Sequence, residues 1–260
     1  PIALFLDEPF YLTVMGRIMI FAIAALSLDL ILGFGGMISL GHAAYLGIGA
    51  YSVGILSFYG INNAWVQLPI AIFGSAIVAL IIGTICLRTS GIYFIMITLA
   101  MTQLLFFLGI SLETYGGDDG LPIDRSVFFE AFDLGNEVNL YYLIFGFLVI
   151  ITLLSWRLIN SRFGMVIRGA QENETRMHAI GFPIFRYKLL AFMIAGSMCG
   201  LSGFLLANLT EFVTPEFMHW FRSGEIMIMV LVGGMGTIFG PLFGAAAYLL
   251  FEEIIYYEYL

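Results

Sequence analysis

Hydrophobic residues in this chain form long continuous runs. Five stretches contain no Asp, Glu, Lys or Arg: residues 30–87, 89–112, 138–156, 189–210 and 226–251. A helix that crosses a bilayer needs about 20 mainly apolar residues, so each of the last four stretches fits one crossing. The first stretch is too long for one helix and must hold more than one. Continuous runs also favour helices over barrel strands, in which apolar and polar residues alternate.

The pattern predicts six helices and a final glycine-interrupted region. The helices are expected near residues 11–33, 43–60, 66–87, 91–112, 138–157 and 187–209, and the interrupted region over 223–257. We therefore predict an all-α integral membrane protein. Its fold class is a polytopic helical bundle of about 7–8 membrane segments with Gly-broken helices.

Composition supports the membrane assignment. The 260 residues are 61% hydrophobic and 11% charged, and the mean hydropathy is +1.00. Soluble domains carry roughly 25% charged residues, so a soluble protein of this size is excluded. The net charge of −8 arises in a few loops. No basic patch indicates nucleic acid, so membrane lipid is the surrounding partner that the composition predicts.

Charge in the loops predicts the orientation. Residues 157–188 hold six of the ten basic residues, whereas residues 113–137 hold seven acidic residues and Arg125 alone. Lys and Arg accumulate in cytoplasmic loops, so 157–188 is expected inside the cell. One helix separates the two loops, which places 113–137 outside. The turn at Arg88 is then inside, in agreement with its charge.

Two glycine-rich segments, 33–49 and 233–244, both contain Gly-Gly-Met. Transporters built from structural repeats show such internal similarity, and interrupted helices can place backbone dipoles around a pathway. The alternative is close packing of helices through small residues. Under the first interpretation, the candidate pathway residues in these segments are Gly35, Gly36, Ser39, Gly41, His42, Gly233 and Gly234.

Asp29 is the one carboxylate deep in the predicted first helix, and it completes the candidate pathway set. A carboxylate inside the membrane is by default a functional candidate. The interpretation we favour is structural: Asp29 caps or pairs locally with Ser27 or with the backbone of Gly33–Gly36. For His42 we likewise favour a structural hydrogen bond over proton transfer.

Reactive groups are sparse. The three histidines, His42, His178 and His219, lie in different regions, and the two cysteines lie far apart in apolar segments. We therefore assign no catalytic residues, no metal site and no disulfide, and we do not expect an enzyme. The single lysine, Lys188, is not part of a phosphate-binding P-loop, so another subunit must supply any ATPase site. We expect no cofactor in this chain.

The loop after residue 157 is the richest polar element. Met165–Ile180 mixes charged and apolar residues, Glu172 and Arg176 stand four apart on a predicted short helix, and Gly181 and Pro183 end it. About thirty residues between two spans exceed the usual 2–8 of a helix connection. We favour a docking element on the inner membrane face over a simple amphipathic connector.

Four segments together resemble the LivM-type permease subunit of branched-chain amino acid ABC importers. They are Ala25–Gly33 running into Gly35–Ala44; Gly91–Phe94 with Thr98–Ala100 and Gly116–Leu121; Gly164–Gly181 with Tyr187–Leu189; and Gly233–Thr237 with Gly240-Pro241 and Gly244-Ala245. Each is weak alone, but their combination covers nearly the whole chain.

The resemblance implies a single transmembrane permease domain over 1–260 in the bacterial cytoplasmic (inner) membrane. Its partners would be a second homologous permease in a heterodimer, two cytoplasmic ABC ATPases that bind ATP and Mg, and a periplasmic or lipid-anchored substrate-binding protein facing the acidic loop. Segment 158–186 would be the ATPase-docking loop, with the signature residues Gly164, Ile167, Arg168, Ala170, Glu172, Asn173, Arg176, Ala179, Ile180 and Gly181.

The same resemblance implies the import of Leu, Ile and Val. We expect the C-terminus to be truncated and consider a truncated N-terminus as well. One alternative is the same importer class for urea, short amides or aromatic acids. Another is an ion-coupled secondary amino acid transporter, for which only Asp29 offers an intramembrane carboxylate.

Overall fold

The computed structural model describes residues 9–129 and 132–259. The first half of this part contains four helices, α1 (Pro9–Leu32), α2 (His42–Phe58), α3 (Ala64–Cys86) and α4 (Ile92–Ser111). Short strands follow, β1 (Leu121–Pro122), β2 (Val127–Phe129) and β3 (Phe132–Asp133). Glu130 of the predicted acidic loop and residues 1–8 and 260 of the predicted domain lie outside the described residues.

The second half contains six further helices and one strand. They are α5 (Glu137–Ile159), α6 (Arg162–Glu172), α7 (Glu174–Ala179), α8 (Ile184–Thr210), β4 (Phe212–Val213), α9 (Trp220–Gly233) and α10 (Gly240–Tyr259). Single 3-10 turns cover Glu113–Tyr115 and Pro215–Met218. The described chain is thus predominantly helical, as predicted.

Among the described residues, five helices are long and apolar enough to cross a membrane: α1, α3, α4, α5 and α8. The shorter apolar helix α2 has 17 residues. The predicted number of 7–8 membrane segments and the interruption of membrane helices by glycine therefore stay predictions. The two glycine-rich segments contribute the non-helical connections 33–41 and 234–239.

Helix α8 forms the centre of the bundle and packs against α1, α2 and α3. The contact with α2 is close because glycines face each other. A Cβ on Gly203 would lie 1.9 Å from the Leu46 carbonyl oxygen, and one on Gly49 would lie 2.0 Å from that of Gly200. Small residues allow helix backbones to approach in this way, and van der Waals packing then holds the helices together in lipid. In contrast, α3, α4 and α5 are mostly exposed.

The connections gather at two ends of the bundle. At one end, which we call the basic end, residues 87 and 89–91 line one cavity together with Gln171, Glu174 and Lys188. At the other, the acidic end, β1 pairs with β4, Tyr59 bonds Tyr115, and Arg125 meets Glu211 at 2.7 Å. The basic loop and the acidic loop therefore lie at opposite ends of the bundle, as their charges predict. In that prediction the basic end faces the cytoplasm.

Candidate coupling and translocation site

The predicted docking segment forms two helices, and the prediction of one helix is wrong. Asn173 separates α6 from α7 with an extended backbone (φ −158°), and its side chain accepts the Arg176 N–H at 2.9 Å. Asparagine competes well for this capping position, so the chain restarts a helix there. Glu172 and Arg176 still form an ion pair at 3.2 Å, but it spans the break.

Burial divides the ten predicted docking residues into two groups. Gly164, Ile167 and Ala170 are buried against the bundle. The others are exposed: Arg168, Glu172, Asn173, Arg176, Ala179, Ile180 and Gly181. Residues 171–176 and 178–181 are all exposed at the basic end, and we call them the α6–α7 surface.

Two of these residues attach α6 to the end of α5. A Cβ on Gly164 would lie 2.1 Å from the Ile159 carbonyl oxygen, so this contact requires glycine. The Arg168 guanidinium donates to the same oxygen at 3.0 Å. A cation near a helix C-terminus also interacts favourably with its dipole. Gly164 and Arg168 therefore position the α6–α7 surface.

The α6–α7 surface is also joined to α1 and α8. Gln171 Nε2 donates to the Gly33 carbonyl oxygen at 3.1 Å, just past the end of α1. Lys188 Nζ on α8 meets Glu174 Oε2 at 2.6 Å. Nothing local in the sequence indicates this contact of Gln171, because Gly33 lies 138 positions away. The helix pair α6–α7 is thus joined to the end of α5, to α8 and to the connection that follows α1.

Asp29 joins the two glycine-rich segments. Its buried carboxylate oxygen Oδ1 accepts the backbone N–H of Gly236 at 2.9 Å. The expected local partners are wrong, since Ser27 bonds other groups and the carboxylate reaches across to the connection before α10. Oδ2 is buried without a hydrogen-bond partner among the described residues. One side chain thereby fixes the connection after α1 against the connection after α9.

His42 makes the structural hydrogen bond that was expected. Its Nε2 lies 2.7 Å from Ser27 Oγ, and both residues are fully buried. The Ser27 hydroxyl hydrogen is directed to the Ala24 carbonyl at 2.6 Å. Nδ1 is buried without a hydrogen-bond partner among the described residues. The ring also packs edge-on against Tyr45.

Side-chain hydroxyl groups accept hydrogen bonds from the backbone N–H groups where α2 begins. The Ala43 N–H donates to Ser223 Oγ at 2.8 Å, the Leu40 N–H to Thr98 Oγ1 at 3.3 Å, and the Gly41 N–H to Ser39 Oγ at 3.1 Å. Non-helical backbone at membrane depth is tolerated only where protein or water pairs its polar groups. Ser223 was not predicted from the sequence, because it lies on α9, 180 positions from Ala43.

A cavity of about 250 Å³ opens at the basic end. Of the eight candidate pathway residues, Gly35 and Gly36 line it, together with Gln171, Glu174 and Lys188. Gly41 and Gly233 have packed surroundings, and a Cβ on Gly233 would lie 1.9 Å from the Gly240 carbonyl oxygen, whereas a Cβ on Gly234 would meet only Thr237 Oγ1 at 3.8 Å. The pathway role of the set stays a prediction.

A cluster of charges on α1, α9 and α10 was missed from the sequence. Arg17 pairs with Glu252 at 3.3 Å, and Arg222 pairs with Glu225 at 2.8 Å. Tyr248 lies close enough to all four to interact electrostatically. Arg17 stands inside a membrane-span candidate, where a charged side chain is itself a sequence signal of a functional site. The Arg222–Glu225 pair lines a second cavity of about 450 Å³.

A metal centre has no support in the described part of the chain. It contains no group of three or more His, Cys, Asp or Glu side chains that could hold an ion. Cys86 and Cys199 are both free and buried.

The apolar helices and their oppositely charged ends define a multi-pass helical membrane protein. The model of one protein family, described as the branched-chain amino acid transport system / permease component, matches residues 10–259. The chain belongs to this family.

Named relatives agree with that assignment. The chain is 28% identical to the high-affinity branched-chain amino acid transport system permease protein LivM of Salmonella typhimurium over 261 residues, which cover 91% of the chain and 61% of that protein. It is 27% identical to LivM of Escherichia coli, with the same coverage. It is 25% identical to the probable branched-chain amino acid transport permease protein LivM of Methanocaldococcus jannaschii, covering 91% of the chain and 78% of that protein. No solved structure matches the chain significantly.

Proposed function

We propose that the chain is the permease subunit of an ABC importer that carries branched-chain amino acids across the bacterial cytoplasmic membrane. Family membership supports the transport role, and the names of the relatives support the cargo. The chain spans 61% of the length of the first two relatives, so the activity, cargo and partners of the whole protein are part of the proposal.

The observation that carries the proposal is the α6–α7 surface. It is exposed, lies at the end with the basic residues, and is joined to α1 through Gln171 and Gly33. A cytoplasmic ATPase that pushed on this surface would move the Gly33 backbone, which Asp29 joins to Gly236. The described residues thus form one contiguous set of contacts from the surface to both glycine-rich connections.

The partners proposed are two ABC ATPases on the α6–α7 surface, a second homologous permease beside this chain, and a substrate-binding protein at the acidic end. The ATPases would hold ATP and Mg, since the only lysine of this chain, Lys188, pairs with Glu174. At the acidic end, Arg125 holds the connection between β1 and α5 against Glu211. It also donates to the Leu134 and Gly135 carbonyls, which gives a receptor an ordered surface.

The test is ATP-driven uptake of tritiated leucine by proteoliposomes that contain the chain and its partners. Replacing Glu172 and Arg176 together by alanine removes the exposed ion pair of the α6–α7 surface. We expect uptake to fall at least fivefold, which corresponds to about 1 kcal/mol of lost docking free energy. Arg157→Ala is the matched control, because this residue is basic and exposed at the same end but outside the surface.

Undiminished uptake in the double variant would count against the docking site. The cargo is tested in the same vesicles by competition with isoleucine and valine on one side and with urea, short amides and aromatic acids on the other. Competition by the second set alone would assign the importer a different cargo.

An ion-coupled secondary transporter is the second candidate, and the buried, unpartnered Oδ2 of Asp29 is the observation that favours it. It predicts that the purified chain alone takes up leucine when a proton gradient is imposed. An Asp29→Asn variant would then lose the uptake, whereas no uptake by the chain alone rejects this candidate.

A further inference from the structure

The second cavity lies where α9 begins, between α4 and the 3-10 turn at Pro215–Met218. It measures about 450 Å³ and is lined by Phe106, Glu216, His219, Phe221, Arg222 and Glu225. Small-molecule pockets typically have about 300–1,000 Å³, mostly apolar walls and a few convergent polar groups. This cavity offers two phenyl rings, one imidazole, one guanidinium and two carboxylates.

The cavity lies a short distance from the acidic end of the bundle, measured along the helix axes. Phe106, whose ring centroid is 5.1 Å from that of His219, stands five residues before the end of α4. At 1.5 Å per residue this is about 7.5 Å along the helix from that end. Helix α9 therefore starts within the depth of the apolar spans, and Ser223 in its first turn reaches the start of α2. Transporter binding sites commonly lie where helices begin within the membrane.

Charges of both signs stand together here, and those of Arg222 and Glu225 are only partly exposed. Arg222 Nη1 meets Glu225 Oε2 at 2.8 Å, with side-chain exposures of 29% and 14%. Charged groups at this depth are rare and mark substrate pathways. The bond to Glu225 uses one of the five N–H donors of the guanidinium, so a ligand carboxylate can bind the same group.

We infer that this cavity binds a free zwitterionic α-amino acid with an apolar side chain. Arg222 receives the ligand carboxylate, Glu225 and Glu216 receive its ammonium group, and the side chain packs against Phe106 and Phe221. The ligand carboxylate thereby takes the place of the Glu225 carboxylate beside Arg222, and the ligand ammonium group takes the place of the Arg222 guanidinium beside Glu225. This inference rests on the proposed function and assigns a substrate subsite to it.

The test measures equilibrium binding of tritiated leucine to the membrane complex in lipid nanodiscs, without the substrate-binding protein. Saturable binding is expected in the wild type, with competition by unlabelled leucine. Neither isoamylamine, which lacks the carboxylate, nor isocaproate, which lacks the ammonium group, should compete. Arg222→Gln is expected to weaken binding at least tenfold, or about 1.4 kcal/mol.

Arg125→Gln is the matched control, because it breaks the similar Arg125–Glu211 pair, which lies outside the cavity lining. It should bind leucine within twofold of the wild type. If the Arg222→Gln complex does not assemble, Glu225→Gln carries the same test. Absence of saturable binding in the wild type overturns the inference, as does equal binding by the cavity variant and the control.

Uptake of leucine by the same wild-type complex, now with its substrate-binding protein, distinguishes failure of the subsite from failure of the proposed importer function. If leucine is imported but Arg222→Gln binds it normally, the subsite is wrong and the importer stands. If leucine is bound through Arg222 but ATP drives no uptake, the proposed function is wrong and the subsite stands.

Discussion

Replacing Gly33 by alanine is expected to destabilise the protein strongly. A Cβ at this position would lie 2.0 Å from Asp29 Oδ1 and 2.3 Å from the Gly236 nitrogen, the two atoms that bond each other at 2.9 Å. Gly33 does not have a positive φ angle, so the backbone conformation itself allows alanine. The added methyl group must therefore push the two glycine-rich connections apart.

The expected magnitude follows from two effects. Leaving a buried donor or acceptor without its hydrogen bond costs about 1–3 kcal/mol. Forcing a methyl group into a packed interior costs about 1–3 kcal/mol more. A total of about 3 kcal/mol lowers the melting temperature by roughly 6–12 °C, at about 2–4 °C per kcal/mol for a domain of this size.

The protein supplies its own probes for the assay. Cys86 and Cys199 are free and fully buried, so a thiol-reactive fluorogenic dye should label them only as the purified chain unfolds on heating. Gly146→Ala is the matched control, because a Cβ at this helical glycine of α5 meets nothing within 4 Å. That control should melt at the wild-type temperature or slightly above it, since alanine favours a helix over glycine by about 1 kcal/mol.

A double variant tests the proposed cause. With Asp29→Ala already present, the clash with Oδ1 is gone, and Gly33→Ala should lower the melting temperature less than it does in the wild type. The reasoning is refuted if Gly33→Ala melts within about 2 °C of Gly146→Ala, which corresponds to less than about 1 kcal/mol.

Three further predictions concern the helix core, the basic end and the acidic end. Gly200→Ala would place a Cβ 2.1 Å from Ser75 Oγ; it should lower the melting temperature by the equivalent of about 1–3 kcal/mol, and Ser75→Gly should partly restore it. Gln171→Ala should change the melting temperature by less than the equivalent of about 1 kcal/mol while reducing the leucine imported per ATP hydrolysed; unchanged coupling would contradict the proposed role of this contact. Arg125→Ala removes the 2.7 Å pair with Glu211 and should speed external proteolysis of the acidic loop, and an unaltered cleavage rate would argue against its ordering role.

Sequence predicted the positions of the helices well because the signal is local. A run of apolar residues between charged loops needs no distant partner to be recognised, and the observed α3 (Ala64–Cys86) and α5 (Glu137–Ile159) begin and end within two residues of the predictions. The charge asymmetry likewise separated the two ends of the bundle. In the docking segment the local signal was ambiguous. The spacing of charged and apolar residues allows one helix to continue through Asn173, but asparagine is a preferred N-cap residue and starts a new helix there.

The candidate site depended on contacts that no local pattern contains. Asp29 and Gly236 are 207 residues apart, and Arg17 and Glu252 are 235 apart. An intramembrane carboxylate could be recognised as unusual, but its partner follows only from the way in which α1, α9 and α10 pack. The same holds for Gln171, whose exposed position gave no reason to expect a bond to Gly33.

The hydroxyl groups around the start of α2 also bear on how the protein is made. The Ala43 N–H donates a hydrogen bond to Ser223, which is synthesised 180 residues later. At about 5–20 residues per second, this delay lasts roughly 9–36 s. During that interval the start of α2 lacks this native partner, and an unpaired N–H is unfavourable in hydrocarbon. We therefore expect the nascent α2 to remain at a hydrated site of the insertion machinery until α9 emerges from the ribosome, so that biogenesis of this protein ends with a late, concerted step.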